Sequence, residues 1–139
     1  MRFFNTAGPV NCEKHYCLPP LSRFDLSEIL NLINQEKYFV LHAPRQSGKT
    51  SYLLACADYL NKEGRYYALY TNVEAGQAAR EDVSSAMRAI LYGILQRMDI
   101  NLPNRISSAE LEQIIRDNGP FGAMTIFFSR LSDRFDKPL

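Results

Sequence analysis

The segment that most constrains the fold lies between residues 37 and 64, where three different patterns follow one another. Lys37–His42 is a short run of β-prone residues, typical of a buried strand. A glycine-containing loop comes next, and the residues from about Gly48 to Lys62 predict a helix. Gly64 is placed to end that helix as a left-handed cap. The apolar positions predicted on the buried side of the helix are Leu53, Leu54, Ala57 and Leu60.

The loop reads Ala43-Pro44-Arg45-Gln46-Ser47-Gly48-Lys49-Thr50, the pattern of a Walker A phosphate-binding loop with Ala43 in place of the first glycine. Gly48 allows a tight turn that brings backbone amides against phosphate oxygens. Lys49 supplies charge for the β- and γ-phosphates, and the Thr50 hydroxyl is the usual Mg²⁺ ligand. The helix would begin here, with its unpaired N–H groups facing the anion. We therefore expect a nucleoside triphosphate with Mg²⁺; the alternative is a turn with an incidental surface lysine.

Capping signals and apolar spacing predict the other elements. Asp25 begins a first helix, and Arg65–Val73 has the composition of a second strand. Residues 77–98 carry apolar side chains at helical spacing. Ser107 opens another helix that ends near Gly119, and a last helix follows it. Strands that alternate with helices in this order predict a layered α/β domain.

Charge and cysteine content exclude several classes of protein. Lys and Arg number 16 against 15 Asp and Glu, so bulk charge gives no affinity for nucleic acid. No apolar run is long enough for a membrane span, and the start lacks a secretory signal, so we expect a soluble cytoplasmic protein. Cys12, His15 and Cys17 lie close together, but a closed zinc site needs a fourth ligand that neither His42 nor Cys56 is placed to supply. Three cysteines without a dense framework fit a reducing compartment.

The stretch from Tyr38 to Ser51 resembles the AAA-like P-loop ATPases of bacteria and archaea, the group related to STAND and origin-recognition-type ATPases. The lead-in segments Phe4–Val10 and His15–Leu21 resemble those proteins as well. The resemblance implies ATP as the nucleotide. It places the lead-in near the adenine, so Tyr16 and Arg23 are candidates to line that pocket, or else they pack an N-terminal arm. The residues expected at ATP are Ala43, Pro44, Arg45, Gln46, Ser47, Gly48, Lys49, Thr50 and Ser51.

The resemblance also implies a three-layer α/β/α fold of the ASCE type, with strand order 5-1-4-3-2. Residues 1–24 would form a lead-in arm, and residues 25–139 the N-terminal part of a P-loop ATPase domain that stops before the Walker B strand. The two predicted strands would be strands one and two, which are not neighbours. Because unpaired strands leave backbone groups without partners, we expect the isolated chain to be marginally stable, partly disordered or paired with another polypeptide, either the remainder of the ATPase or an oligomeric partner. By itself it should unfold with little cooperativity.

ATP hydrolysis needs a second acidic cluster, usually a carboxylate pair that ends an apolar strand. None of the acids has that setting: Asp82 begins a helix, Glu74 lies in a turn, and Asp133 and Asp136 lie in a polar terminal segment. We therefore expect ATP binding without hydrolysis by this chain alone, with Lys49 as the residue that would stabilise the transferred charge.

Two other functions remain open on the sequence. A P-loop kinase or other phosphotransferase would need an acceptor site and a lid with several arginines. The arginines here are scattered, at Arg80, Arg88, Arg97, Arg105 and Arg116. A nucleotide-gated interaction protein without catalysis, or a decayed remnant, is the other possibility. Direct DNA binding has no support, because no basic stripe with interleaved aromatic residues is present.

Overall fold

A computed structural model describes residues 1–6, 11–102 and 106–139 of the chain. Residues 7–10 of the lead-in segment Phe4–Val10, and Arg105, lie outside these residues. Two compact units are formed, Met1–Tyr59 and Leu60–Leu139, and the predicted boundary after residue 24 lies within the first unit. The α-helices are α1 (Leu26–Asn34), α2 (Lys49–Glu63), α3 (Val83–Asn101) and α4 (Ser108–Ser132), with 3₁₀ turns at Pro20–Arg23 and Glu74–Ala79.

Local capping signals determine where most of these helices begin. The Asp25 carboxylate accepts hydrogen bonds from the N–H groups of Ser27 and Glu28 and so caps α1. The Ser107 hydroxyl accepts from the N–H group of Glu110 at the start of α4, with an N···O distance of 3.1 Å. The predicted helix starts at these two places are confirmed.

Two glycines account for a helix end and a break. Gly64, with φ of 84°, follows α2 and donates its N–H to the carbonyl of Leu60 at 3.1 Å, as predicted. Gly119, with φ of 68° and ψ of 167°, interrupts the helical backbone of α4 just before Pro120. The predicted division of residues 108–132 into two helical segments is therefore confirmed.

Neither predicted strand belongs to a sheet. Lys37–His42 has no regular secondary structure, and the side chains of Tyr38 and Val40 are 106% and 89% exposed. Among the residues that the structure describes, the β-pairing is a single isolated bridge between Phe3 and His15. The expected α/β fold of the three-layer P-loop type is therefore wrong, since the described chain is helical with no sheet. The physical reason is that β-propensity favours extended backbone, whereas a sheet also requires a neighbouring strand to complete its hydrogen bonds.

The second predicted strand obtains hydrogen bonds from other sources. The Asn61 side chain donates to the carbonyl of Ala68 at 2.8 Å and accepts from the N–H of the same residue at 3.0 Å. The N–H of Tyr67 donates to the carbonyl of Pro138 at 2.8 Å. A side-chain amide and the C-terminal segment thus take the place of a neighbouring strand along part of this segment.

Helix α3 begins later than the predicted residue 77. The chain first forms the 3₁₀ turn at Glu74–Ala79, and then Arg80 adopts a left-handed φ of 51°. Asp82 caps α3 by accepting from the N–H of Ser85 at 3.0 Å. A capping side chain immediately before Val83 favours a helix start there over continuation of the earlier turn.

The second unit contains a hydrophobic core formed by α3, α4 and the segment between them. Within the described ranges, no helix is long and apolar enough to cross a membrane. The buried members of the core are Leu91, Ile94, Leu95, Met98, Leu102, Ile106, Leu111, Ile114, Ile115, Ala123, Phe127 and Leu131.

The predicted buried side of α2 is confirmed at Leu60 and is wrong at Leu53 and Leu54. Tyr52, Cys56 and Leu60 are buried at a spacing of four residues, whereas Leu53 and Leu54 are exposed. Positions four apart lie on the same side of a helix, so the two leucines next to Tyr52 are turned away from it. The sequence alone did not distinguish these neighbouring faces, because both carry apolar residues.

Candidate functional site

The loop from Ala43 to Thr50 contains two residues with left-handed backbone before α2 begins. Gln46 has φ of 59° and Gly48 has φ of 84°. The Ser47 hydroxyl donates to the carbonyl of Pro44 at 2.8 Å and ties the loop to its own beginning. Left-handed residues within such a loop turn successive N–H groups toward a common point, which is how backbone concavities for anions arise.

Helix α2 begins at Lys49, one residue after the predicted start. Its first internal hydrogen bond runs from the N–H of Tyr52 to the carbonyl of Gly48, at 2.9 Å. The N–H groups of the residues from Gly48 to Ser51 therefore have no acceptor within the helix. The first turn of α2 contains no acidic residue. This helix end thus presents donors and a positive dipole without a carboxylate of its own.

The Lys49 side chain folds back over the loop. Its Nζ lies 2.6 Å from the carbonyl oxygen of Ala43 and 2.6 Å from that of Pro44, so the ammonium group donates to both. These are charge-assisted hydrogen bonds to neutral acceptors, and a phosphate oxygen with its negative charge is the stronger acceptor. Thr50, the next residue of α2, is exposed. The loop therefore holds the cation and the hydroxyl that the motif predicts, both next to the helix start.

Arg23 lies against the same loop, although it is 24 residues before Ser47. Its Nη1 atom donates to the carbonyl of Ser47 at 3.0 Å. Its guanidinium covers Gly48, where a β-carbon would lie 2.8 to 2.9 Å from the Nη1, Cζ and Nε atoms. The structure thus brings the predicted residue Arg23 to the backbone of the loop, at the end of the 3₁₀ turn Pro20–Arg23.

Tyr16 has a different setting. Its ring packs against that of Phe4, with 4.9 Å between centroids, and its N–H donates to the carbonyl of Phe3 at 3.0 Å. Among the described residues, these contacts of Tyr16 lie within the lead-in and do not reach the loop. Its expected place at the adenine stays a prediction.

Tyr52 lies in the first turn of α2, and its burial was not anticipated from the sequence. It is fully buried, and its ring meets that of Phe24 edge-on at a centroid distance of 4.8 Å. Its hydroxyl has no hydrogen-bond partner within the described part of the chain. Burial raises the pKa of this phenol, with a smaller contribution from nearby Cys56 and Asp25. The signal in the sequence was the spacing of four residues between Tyr52 and Cys56 on an otherwise mixed helix.

Two of the acids considered for hydrolysis, Asp82 and Asp136, make structural hydrogen bonds within the second unit. Asp82 caps α3, and hydrogen bonds from Ser85 lower the pKa of its carboxyl. Asp136 accepts from the Tyr67 hydroxyl at 3.1 Å. Glu74 begins the 3₁₀ turn Glu74–Ala79. Asp82 and Asp136 thus stabilise local structure through these hydrogen bonds.

The cysteine and histidine residues of the lead-in do not assemble a metal site. Cys12 and Cys17 are joined in a disulfide, and the His15 Nδ1 atom accepts from the N–H of Asn11 at 3.0 Å. Across residues 1–6, 11–102 and 106–139, no group of three or more His, Cys, Asp or Glu side chains could hold a metal ion. A disulfide is unusual in the reducing compartment that the cysteine content predicts.

Comparisons with protein-family profiles, with curated proteins and with solved structures find no significant match to this chain.

Proposed function

We propose that this chain binds ATP together with Mg²⁺ through the loop Ala43–Ser51. The observation that carries the proposal is the position of Lys49, whose ammonium group donates to two loop carbonyls next to a helix start where the first N–H groups have no acceptor within the helix. A mobile cation and a row of amide donors at one helix end are suited to a polyphosphate. The resemblance of residues 38–51 to AAA-like P-loop ATPases favours ATP over other nucleoside triphosphates.

Each residue has a defined part in this proposal. The N–H groups from Gly48 to Ser51 donate to phosphate oxygens. Lys49 exchanges its two carbonyl acceptors for the β- and γ-phosphates, which is favourable because a charged acceptor makes the stronger hydrogen bond. Thr50 is an exposed residue whose hydroxyl would hold Mg²⁺, and this ion would neutralise charge on the same phosphates.

Isothermal titration calorimetry with MgATP tests the proposal. Lys49→Gln should weaken binding at least tenfold, since it removes a charge-assisted contact. Lys37→Gln is the matched control, because it removes the same charge from an exposed residue of the same unit and should leave the affinity unchanged. Equal affinities of wild type and Lys49→Gln would contradict the proposal.

A second variant examines the metal. Thr50→Val keeps the shape of the side chain and removes the hydroxyl, so it should weaken binding of MgATP but not of ATP in the presence of EDTA. An equal loss in both titrations would show that the hydroxyl does not act through Mg²⁺.

We further propose that the chain binds ATP without hydrolysing it alone, because Asp82 and Asp136 are engaged in hydrogen bonds within the second unit. Phosphate release should equal the background without protein. Release above that background that Lys49→Ala abolishes would contradict this proposal and indicate a catalytic acid among the remaining carboxylates.

We propose that the protein acts in the cytoplasm and that it makes no direct contact with nucleic acid; the near-neutral charge supports the second statement. A salt-dependent mobility shift of duplex DNA by this chain would contradict the second statement.

A further inference from the structure

The contact between Arg23 and the loop has a direction that bears on phosphate binding. Arg23 donates to the carbonyl oxygen of Ser47, and that carbonyl shares a peptide group with the N–H of Gly48. A trans peptide is planar, with its C=O and N–H pointing in opposite directions. The chain contains no cis peptide bond among its described residues. The Gly48 N–H therefore points away from the Arg23 guanidinium.

From this geometry we propose that Arg23 is a positioning residue for the phosphates: it holds the Ser47–Gly48 peptide so that the Gly48 N–H faces the bound anion. The inference rests on the proposed ATP binding. It gives Arg23 a role different from the adenine contact that the resemblance implies. It also differs from direct contact with phosphate, because the guanidinium lies on the carbonyl side of the peptide.

The shape of the guanidinium suits this role. One nitrogen donates to Ser47 while the planar group covers the α-carbon of Gly48, with Nη1, Cζ and Nε all close to where a β-carbon would be. A lysine at position 23 could donate to the carbonyl but lacks the flat surface that covers the glycine. Glycine is suited to position 48 for two reasons: it readily adopts the φ of 84°, and its lack of a β-carbon leaves space for the guanidinium.

The test compares MgATP with magnesium tripolyphosphate, which offers the phosphates without adenosine, by calorimetry on the full chain. Arg23→Gln should weaken binding of both ligands by the same factor, about five- to tenfold, as expected for loss of one hydrogen bond of ordinary net strength. Arg23→Lys should restore only part of the affinity. Arg2→Gln, which removes the same charge from an exposed residue of the same unit, should bind both ligands like wild type.

Folding and peptide orientation are followed separately. Far-UV circular dichroism of Arg23→Gln should match wild type, whereas the Gly48 amide resonance of the ligand-free protein should shift, because the opposite side of its peptide has lost a donor. An unchanged Gly48 resonance would overturn the inference.

Three other results of the titrations would overturn the inference, and a fourth would refute the proposed function. Loss of affinity for MgATP alone would assign Arg23 to the adenosine and overturn the inference. Full rescue by Arg23→Lys would show that Arg23 contributes only its charge and would overturn the inference. Wild-type affinities in Arg23→Gln would also overturn it, because Arg23 would then have no part in phosphate binding. Failure of the wild-type chain to bind either ligand would instead refute the proposed function.

Discussion

Gly48 and Gly64 provide a matched pair for measuring what Arg23 contributes to the loop. Both glycines have φ of 84°, one before α2 and one after it. A β-carbon at Gly64 would meet nothing within 4 Å, whereas one at Gly48 would lie 2.8 to 2.9 Å from the Arg23 guanidinium. Alanine at either position costs about 1–2 kcal/mol for the left-handed backbone. At Gly48 it also displaces the guanidinium, and the lost hydrogen bond to Ser47 adds about 1 kcal/mol.

Native-state amide hydrogen exchange by NMR measures these free-energy costs at individual amides. In Gly48→Ala the reporter is the N–H of Tyr52, which is bonded to the carbonyl of residue 48; in Gly64→Ala it is the N–H of residue 64, bonded to Leu60. We expect the Tyr52 protection factor to fall about fivefold further than that of residue 64, since about 1.4 kcal/mol corresponds to a factor of ten.

A double-mutant cycle provides the control. In the Arg23→Gln background, Gly48→Ala should lower protection only as much as Gly64→Ala does, because the extra contact is already absent. Equal losses for the two glycine variants in the wild-type background would refute the reasoning, since the guanidinium would then contribute nothing to the loop.

Three further predictions concern the second unit and the whole chain. Hydrogen bonding from Tyr92, and then the charge of Arg88, lower the pKa of Glu112 from its ordinary value of 4.5, so the ionised carboxylate favours folding above that pH. Protection of α3 amides should fall as the pH drops through the lowered pKa, and Glu112→Gln should remove that dependence. Phe127→Ala should lower the free energy of unfolding of the second unit by about 3–5 kcal/mol in the same exchange measurement. Phe128→Ala, at a position 40% exposed, should lower it far less, and similar values for the two variants would contradict the assigned core. Thermal unfolding of the chain should be broad, because the chain forms two compact units rather than one. A sharp reversible two-state transition would contradict this prediction.

The sequence by itself determined the helix boundaries that depend on neighbouring residues. The Asp25 carboxylate caps α1 by accepting from N–H groups two and three residues ahead. Gly64 ends α2 by adopting a left-handed backbone conformation that other residues avoid. The break at Gly119 before Pro120 follows from the same kind of local chemistry. For the candidate site, the same reasoning located the loop and predicted the start of α2 to within one residue.

Only the tertiary structure decided the features that need a partner from a distant part of the chain. Lys37–His42 has the composition of a strand, but a strand joins a sheet only where another segment completes its hydrogen bonds. The Asn61 amide supplies such bonds to Ala68, and no spacing rule for strands predicts a helical side chain in that role. Arg23 meets Ser47 across 24 residues, so its place at the loop depends on how the lead-in returns to α2. Local propensity acts through neighbours along the chain, whereas sheet pairing and the Arg23 contact depend on which distant groups the fold brings within hydrogen-bonding distance.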